Sequence, residues 1–440
     1  MIFAGLPSVA SLRVILVSTL LLTSCRPAGP DPEGVERVQV VRDDSGFRLT
    51  VDDREFFVMG MNWDYFPVGT NYSFRLWDEP DDIIEEALDR EMTLLQSMGV
   101  NAIRQYVGVP PRWVAWIHAR YGIYTVINHP LGRYGVSIDG AWTAPTDYAD
   151  PRARESILAE IDVMVESYRN SPGVLMWLLG NENNYGLVWE GAETENLPEE
   201  QRDVTRATSL YTLVGEAARR IKQVDTLRPV ALANGDVGYL DLIARYAVDI
   251  DIFGMNTYRG PSFTDAWETL ASTFDRPVLL TEFGSDAWNA RTGQEAGAEQ
   301  AALLLAQWQE VYTHAPGQGG FGNSIGGLTF QWSDGWWKYH QEDFLDVHDT
   351  HASWANGGYA FDYEEGKNNM NEEWFGVMAK GPTDERMQFE LSPRAAYFTL
   401  QRIHRLNPLE STPEEVETLF SNLDINSDVE RARDARRAVD

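Results

Sequence analysis

Two glutamates stand where acid–base chemistry could be done. Glu182 closes the run Leu179-Gly180-Asn181-Glu182 and is followed by Asn183-Asn184; Glu282 lies in Thr281-Glu282-Phe283-Gly284. Each directly follows a short apolar stretch, so each would be carried at the polar tip of a buried strand. Cutting a glycosidic bond passes through an oxocarbenium-like state. It needs one carboxyl to protonate the leaving oxygen and a second to stabilise or attack the anomeric carbon. A gap of about 5–5.5 Å between the two gives retention through a covalent intermediate, and a wider gap gives inversion. One isolated glutamate after a strand serves equally well as an ion-pair partner or helix cap, so the weight rests on the pair and on the residues around it.

Those surroundings are polar and aromatic wherever an apolar run stops. The runs end at Asn62-Trp63, at Arg104 and Tyr106, at Asn128-His129, at Asn234-Gly235-Asp236, at Asn256-Thr257-Tyr258 and at Trp332-Ser333-Asp334-Gly335-Trp336-Trp337. A barrel used only as scaffold has no need of such ends. Taken one at a time, Arg104 also suits a structural role, Tyr258 a half-buried core position, and His129 a core or rim position. Trp336, Trp337 and Trp374 also suit the packing of a long loop.

Eight short apolar segments qualify as strands: Phe56–Met61, Ala102–Tyr106, Tyr124–Asn128, Val174–Leu179, Val230–Ala233, Ile250–Met255, Val278–Thr281 and Gly327–Gln331. Helical spacing separates them near 81–98, 111–121, 151–170, 203–224, 238–247, 262–273 and 294–314, and a last helix is expected near 393–406. Strands alternating with helices imply parallel pairing through crossovers, and eight such units imply a (β/α)8 TIM barrel of the α/β class. The alternative, a doubly wound open sheet, usually carries a glycine-rich phosphate turn after its first strand. Met59-Gly60-Met61-Asn62-Trp63 is no such turn. Val38–Val41 and Phe47–Val51, joined by Asp43-Asp44-Ser45-Gly46, predict a short N-terminal β-hairpin. Residues 333–390 form an unusually long loop after strand eight. Its Asp346-Val347-His348-Asp349 spacing matches no trusted metal motif, so neither metal nor cofactor is expected. The barrel domain is expected over 35–408, with a charged helical tail over 409–440.

In this order the strand ends resemble the large clan of retaining (β/α)8 glycosidases, clan A. That clan has an Asn-Glu pair after strand four, a Glu after strand seven, an Arg on strand two, a Tyr or His after strand six and a Trp ending strand eight. Asn181-Glu182, Glu282, Arg104, Tyr258 and Trp332 match those positions, and the resemblance covers roughly residues 46–406. It implies Glu182 as general acid then base, Glu282 as nucleophile held by Arg104 and Tyr258, Asn181 on the sugar 2-hydroxyl, and Trp332 as the floor under the attacked sugar. Trp63, His129, Asn256, Trp336 and Trp337 are expected to line the substrate. Val100–Tyr106 and Gly122-Ile123-Tyr124 are loosely similar to β-1,3-glucan hydrolases and glucanosyltransferases of the same clan, which favours a β-glucan and leaves β-galactan and β-mannan open.

Bulk properties bound the partners. The net charge is −31, which argues against nucleic acid, because phosphate binding needs clustered Lys and Arg. The same charge disfavours an anionic polysaccharide. The single cysteine, Cys25, rules out an intrachain disulfide framework. It follows Arg13, the apolar run Val14–Leu22 and Thr23-Ser24, which resembles a bacterial lipoprotein signal. Residues 1–24 would be removed, Cys25 lipidated, and 25–34 left as a tether, giving an exported protein anchored in the cell envelope. An ordinary signal peptide is the alternative. Three functions remain in view: a retaining β-glycan hydrolase, a transglycosylase using the same two glutamates, and a non-catalytic surface lipoprotein that captures glycans. The sequence leaves the oligomeric state undetermined.

Overall fold

The computed structural model describes residues 34–106, 108–188 and 198–439. Cys25 and the apolar run before it lie outside them. Eight parallel strands close into a barrel: β1 Val58–Asn62, β2 Ala102–Gln105, β3 Tyr124–His129, β4 Val174–Leu179, β5 Val230–Gly235, β6 Ile252–Asn256, β7 Val278–Phe283 and β8 Ser324–Thr329. Each pairs with its neighbours in chain order and β8 returns to β1, with Gly326 opposite Val58. The expected TIM barrel is therefore the observed fold.

Helices α1 Asp81–Met98, α2 Pro111–Tyr121, α3 Pro151–Tyr168, α4 Glu199–Val224, α5 Leu240–Tyr246, α6 Ala266–Thr273, α7 Gly297–Thr313 and α8 Ala395–Ile403 follow the strands in turn. The spacing read from α1 is the spacing it buries: Ile84, Ala87, Leu88, Met92, Leu95 and Met98 face the barrel. Side chains alternate along each strand. One set, including Val58, Ala102, Val126, Leu178, Ala231 and Leu279, packs inside the barrel, while Met61, Ile103, Ile127, Leu179 and Leu280 join the helix layer.

The N-terminal segment is a three-stranded antiparallel sheet rather than a hairpin. Arg54–Phe56 adds a third strand to Val38–Asp43 and Gly46–Val51, so Phe56 belongs to this sheet and not to β1. Its Val38, Leu49 and Val51 pack with the barrel-interior residues, and Val38 and Phe47 bond to Leu227 and Gly322 in the loops that precede β5 and β8. The sheet thus closes the barrel's N-terminal end and leaves the other end open. β8 begins three residues before its expected start. The Gly326-Gly327 pair hides it, because a β-carbon on Gly326 would lie 2.1 Å from the Val58 carbonyl oxygen. Only glycine fits where β8 meets β1, at a φ of +112°.

After β8, residues 333–393 hold a short 3-10 turn at Glu372–Trp374 and an antiparallel pair, Met378–Thr383 with Phe389–Pro393. Arg394, fully buried, ties this segment down: it donates to Asp334 at 2.7 and 2.8 Å, to Glu295 at 2.7 Å and to the Gly376 carbonyl. Residues beyond 408 form α9 Pro413–Ser421, opened by a Thr412/Glu415 capping box, and α10 Ile425–Val439. Phe420 packs on Tyr312 of α7, and Asp428 accepts from Thr399 of α8.

Candidate active site

At the open end of the barrel, the loops after the strands enclose a cleft of about 1040 Å³. Glu182 and Glu282 both line it. The turn after β4 is held rigidly. Gly180 takes a φ of +85°, its N–H donates to the His129 carbonyl, and Asn183 accepts from the Asn181 N–H while donating to Pro130, Leu131 and Tyr148. Asn184 clasps Gly235 on β5 through both its amide atoms. Asn183 and Asn184 are thus clamps, and Asn181 and Glu182 are the pair that reaches the cleft. Glu182 itself has a φ of +56°, fixed by its N–H to the Ala233 carbonyl at 3.0 Å. A non-glycine residue there costs about 1 kcal/mol or more and persists where the surroundings over-determine it, as they do at functional sites.

Three donors converge on Glu282. Arg104 Nη1 donates to Oε1 at 2.9 Å, the Tyr106 hydroxyl to the same oxygen at 2.5 Å, and the Tyr258 hydroxyl to Oε2 at 3.1 Å. Arg104 is fully buried on β2 and divides its donors: Nε goes to Asn128 Oδ1 and Nη2 to Asn181 Oδ1, both at 2.8 Å. One guanidinium therefore positions Glu282 and the residue beside Glu182 together. Asn256 donates to Asn181 Oδ1 at 3.2 Å, accepts from Thr281, and also bonds the Glu182 side chain. It stands one layer behind the cleft as a support.

Electrostatics mark out Glu182. Burial, and then the charge of Glu282, push the Glu182 carboxyl up to about 7, against the smaller opposing effects of Asn256, Arg133 and Arg104. Burial raises the Tyr106 and Tyr258 phenols well above their ordinary range, so both remain donors.

The remaining residues expected at the site divide. Trp337 lines the cleft, edge-on to Phe66 and Tyr72. Trp332 does not: it is fully buried, against Tyr397 of α8 and beside Glu91 of α1. The aromatic that β8 offers to the cleft is Phe330, two residues earlier. Trp63 is also fully buried and donates its indole N–H to Glu91 at 2.5 Å. His129 turns outward, accepting the Leu131 N–H and lying 3.4 Å from Glu160 of α3. Trp63 and His129 each follow an asparagine that faces inward, Asn62 and Asn128, so the strand's period of two sends them to the helix layer. Trp336 stacks on His348 at 4.8 Å, and His348 on Trp374 at 3.8 Å, as packing within the long loop. Among the described residues no group of three or more His, Cys, Asp or Glu is set to hold a metal ion.

The cleft also holds residues that the strand-end pattern does not point to. Tyr106 was visible on strand two, but its hydroxyl's reach to Glu282 required the fold. Asp64, two residues past Asn62, lines the cleft with Oδ1 buried and without a hydrogen-bond partner. Burial raises its carboxyl to about 6, against the nearby Lys338 charge and the Tyr106 N–H. Tyr134 and Trp142 come from the loop after β3, and Trp354 and Asn356 from the loop after β8.

Comparison with known proteins agrees with this architecture. The chain is 26% identical over 314 residues to the probable 1,3-β-glucanosyltransferase GAS3 of Saccharomyces cerevisiae, covering 64% of this chain and 56% of that protein. To a β-galactosidase of Leuconostoc mesenteroides it is 22% identical over 274 residues, 59% of this chain and 22% of the other. It thus spans little more than half of the first relative and about a fifth of the second. Among solved structures it superposes on a β-galacturonidase from Eisenbergiella tayi with a TM-score of 0.52 at 16% identity, covering 85% of this chain and 54% of that one. A Bacteroides uniformis β-glucuronidase gives a TM-score of 0.54 at 15% identity, over 84% and 37%. Likeness at that identity shows a shared fold. Residues 82–313, more than half of the chain, match the family described as "Glycosyl hydrolases family 2, TIM barrel domain", and the chain belongs to that family.

Proposed function

We propose that this protein is a retaining glycoside hydrolase acting on a β-linked glycan, with Glu182 as acid/base and Glu282 as nucleophile. The observation that carries this reading is the unequal treatment of two carboxyls in one cleft. One is held near neutrality, where it can give and take a proton; the other is gripped by three donors that aim it. In the first step a Glu282 oxygen attacks the anomeric carbon while Glu182 gives its proton to the departing glycosidic oxygen. In the second, water attacks that carbon, Glu182 takes the water proton, and the bond to Glu282 breaks. Asn181 presents its amide to the sugar 2-hydroxyl, and Asp64, also in the lining, offers a carboxylate oxygen to another hydroxyl.

A neutral glycan, with β-glucan favoured, suits the lining: Asp64, Glu182, Asp236, Glu282 and Glu372 face a single lysine, Lys338. The relation to a probable glucanosyltransferase supports β-glucan and also a second reading, transfer of the glycosyl unit to another sugar in place of water. Digestion of a panel of β-glucans, β-galactans and β-mannans tests both. Hydrolysis yields only shorter products, whereas transfer yields some oligomers longer than the input. Glu282→Ala abolishes turnover, and Glu182→Ala is rescued by azide on substrates with good leaving groups. Normal activity in both variants contradicts the assignment.

We also propose, from Leu22-Thr23-Ser24-Cys25, that the chain is exported and lipid-anchored through Cys25 in the bacterial envelope.

A further inference from the structure

At one end of the cleft charged and aromatic side chains mix: Asp64, Lys338 and Glu372 stand with Phe66, Tyr72 and Trp337 on the loops after β1 and β8. Beside Glu182 the lining is aromatic: Tyr134, Trp142 and Tyr185, on the loops after β3 and β4, are 61%, 68% and 48% exposed. Aromatic rings so open to water, gathered at a cleft instead of scattered, mark a surface built to be covered.

The backbone beneath them shows how they are presented. Trp142 lies on a small hairpin, Val136–Ile138 with Ala141–Thr143, paired through Ser137 and pinned to α3 by the Ser156 hydroxyl on the Ser137 carbonyl. Its ring rests on Gly135, where a β-carbon would come within 2.6 Å of two indole atoms, and Gly135 has a φ of +137°. Tyr185 rests in the same way on Gly235, where a β-carbon would lie 2.5 Å from its ring. Two rings therefore lie on bare glycine backbone with their other surfaces free. Tyr134 completes the group. Its hydroxyl accepts from Asn181 Nδ2 at 3.2 Å, which places it beside the acid/base residue, and the Arg133 guanidinium lies 5.6 Å from its ring centre.

We propose that Trp142, Tyr185 and Tyr134 form a carbohydrate-binding platform on the leaving-group side of the scissile bond, taking one or more neutral sugar units by stacking on their C–H faces. The side is fixed by chemistry: the residue that protonates the leaving oxygen must stand next to the leaving group, so this clause rests on Glu182 as the acid. The platform makes oligosaccharides, not compounds with a small aglycone, the preferred substrates. Once the leaving sugar departs, the same surface receives an acceptor sugar, whose hydroxyl gives its proton to Glu182 as its oxygen displaces Glu282.

The test compares Trp142→Ala and Tyr185→Ala with the wild type on two kinds of substrate. One is a β-glycosyl fluoride, whose leaving group has no ring to stack. The other is the β-1,3-gluco, β-1,4-galacto and β-1,4-manno oligosaccharides of two to six units. On the oligosaccharides kcat/KM falls about tenfold, chiefly through KM, while turnover of the fluoride stays within about twofold. An equal loss on both kinds of substrate, or no loss on any oligosaccharide series, overturns the proposal. Calorimetric binding of the same oligosaccharides to Glu282→Gln separates this result from a failure of the catalytic reading. If the wild type turns over no glycan but Trp142→Ala still weakens oligosaccharide binding about tenfold, the platform stands and the hydrolase assignment falls. No binding in any series overturns the platform as well.

Discussion

At the residue scale two carboxyls share one cleft in different surroundings: three donors hold Glu282, and burial governs Glu182. Glu182 has few compensating donors, and its burial beside Glu282 holds it near 7. In the proposed reaction it starts protonated, so kcat/KM is expected to fall as pH rises through about 7, roughly tenfold per unit, and Glu182→Ala should lose that limb on activated aryl glycosides. A pH–rate profile of the two proteins checks this; an unchanged alkaline limb in the variant would assign it to another group. Which residue types end the strands was legible in the sequence, and so Glu182, Glu282, Asn181, Arg104 and Tyr258 could be named before any fold was known. Which way each one points was not. Asn62 and Trp63 are adjacent and equally conspicuous, yet the pleat sends one to the barrel mouth and the other against Glu91. Trp332 illustrates the same limit at β8, where Phe330 occupies the cleft instead.

At the scale of elements, the helices read most clearly, since α1 and α2 repeat their apolar residues at helical spacing and α9 carries its cap in Thr412-Pro413-Glu414-Glu415. The hairpin bearing Trp142 escaped notice because strands of three residues carry no periodicity. The long segment after β8 owes its order to non-local polar contacts that no local pattern records. Its anchor is the buried pair of Arg394 with Asp334, in which both carboxylate oxygens accept from the guanidinium. Asp334→Ala removes both of these bonds and leaves Glu295 as the one carboxylate on the buried Arg394, which is expected to cost about 3 kcal/mol of stability, measured by urea unfolding. A change under about 1 kcal/mol would show that water or Glu295 replaces the lost partner.

At the scale of the whole molecule, charge bears on what the protein meets. The chain has a net charge of −31 and its cleft lining holds five carboxyls and one lysine, so the proposed substrate is a neutral sugar in preference to an anionic one. Nitrophenyl β-glucoside is therefore expected to be turned over at least tenfold faster than nitrophenyl β-glucuronide, as kcat/KM at equal ionic strength. Preference for the glucuronide would align this chain with the activity named for its structural neighbours and overturn the neutral-substrate reading. For the proposed anchor, Cys25→Ala is expected to move the protein from the membrane to the soluble fraction of a bacterial host; retention in the membrane would exclude lipidation at that residue. Net charge is legible in the composition, whereas the distribution of charge along the cleft comes only with the fold.

The proposed covalent step can be caught directly. A 2-deoxy-2-fluoro β-glycoside with a good leaving group slows the second displacement and lets the glycosyl-enzyme accumulate. Intact mass measurement should then show one added glycosyl unit, and peptide mapping should place it on Glu282, with no label on Glu282→Gln. A label on Glu182 or on any other residue, or steady turnover of that glycoside without any adduct, would contradict a double displacement through Glu282.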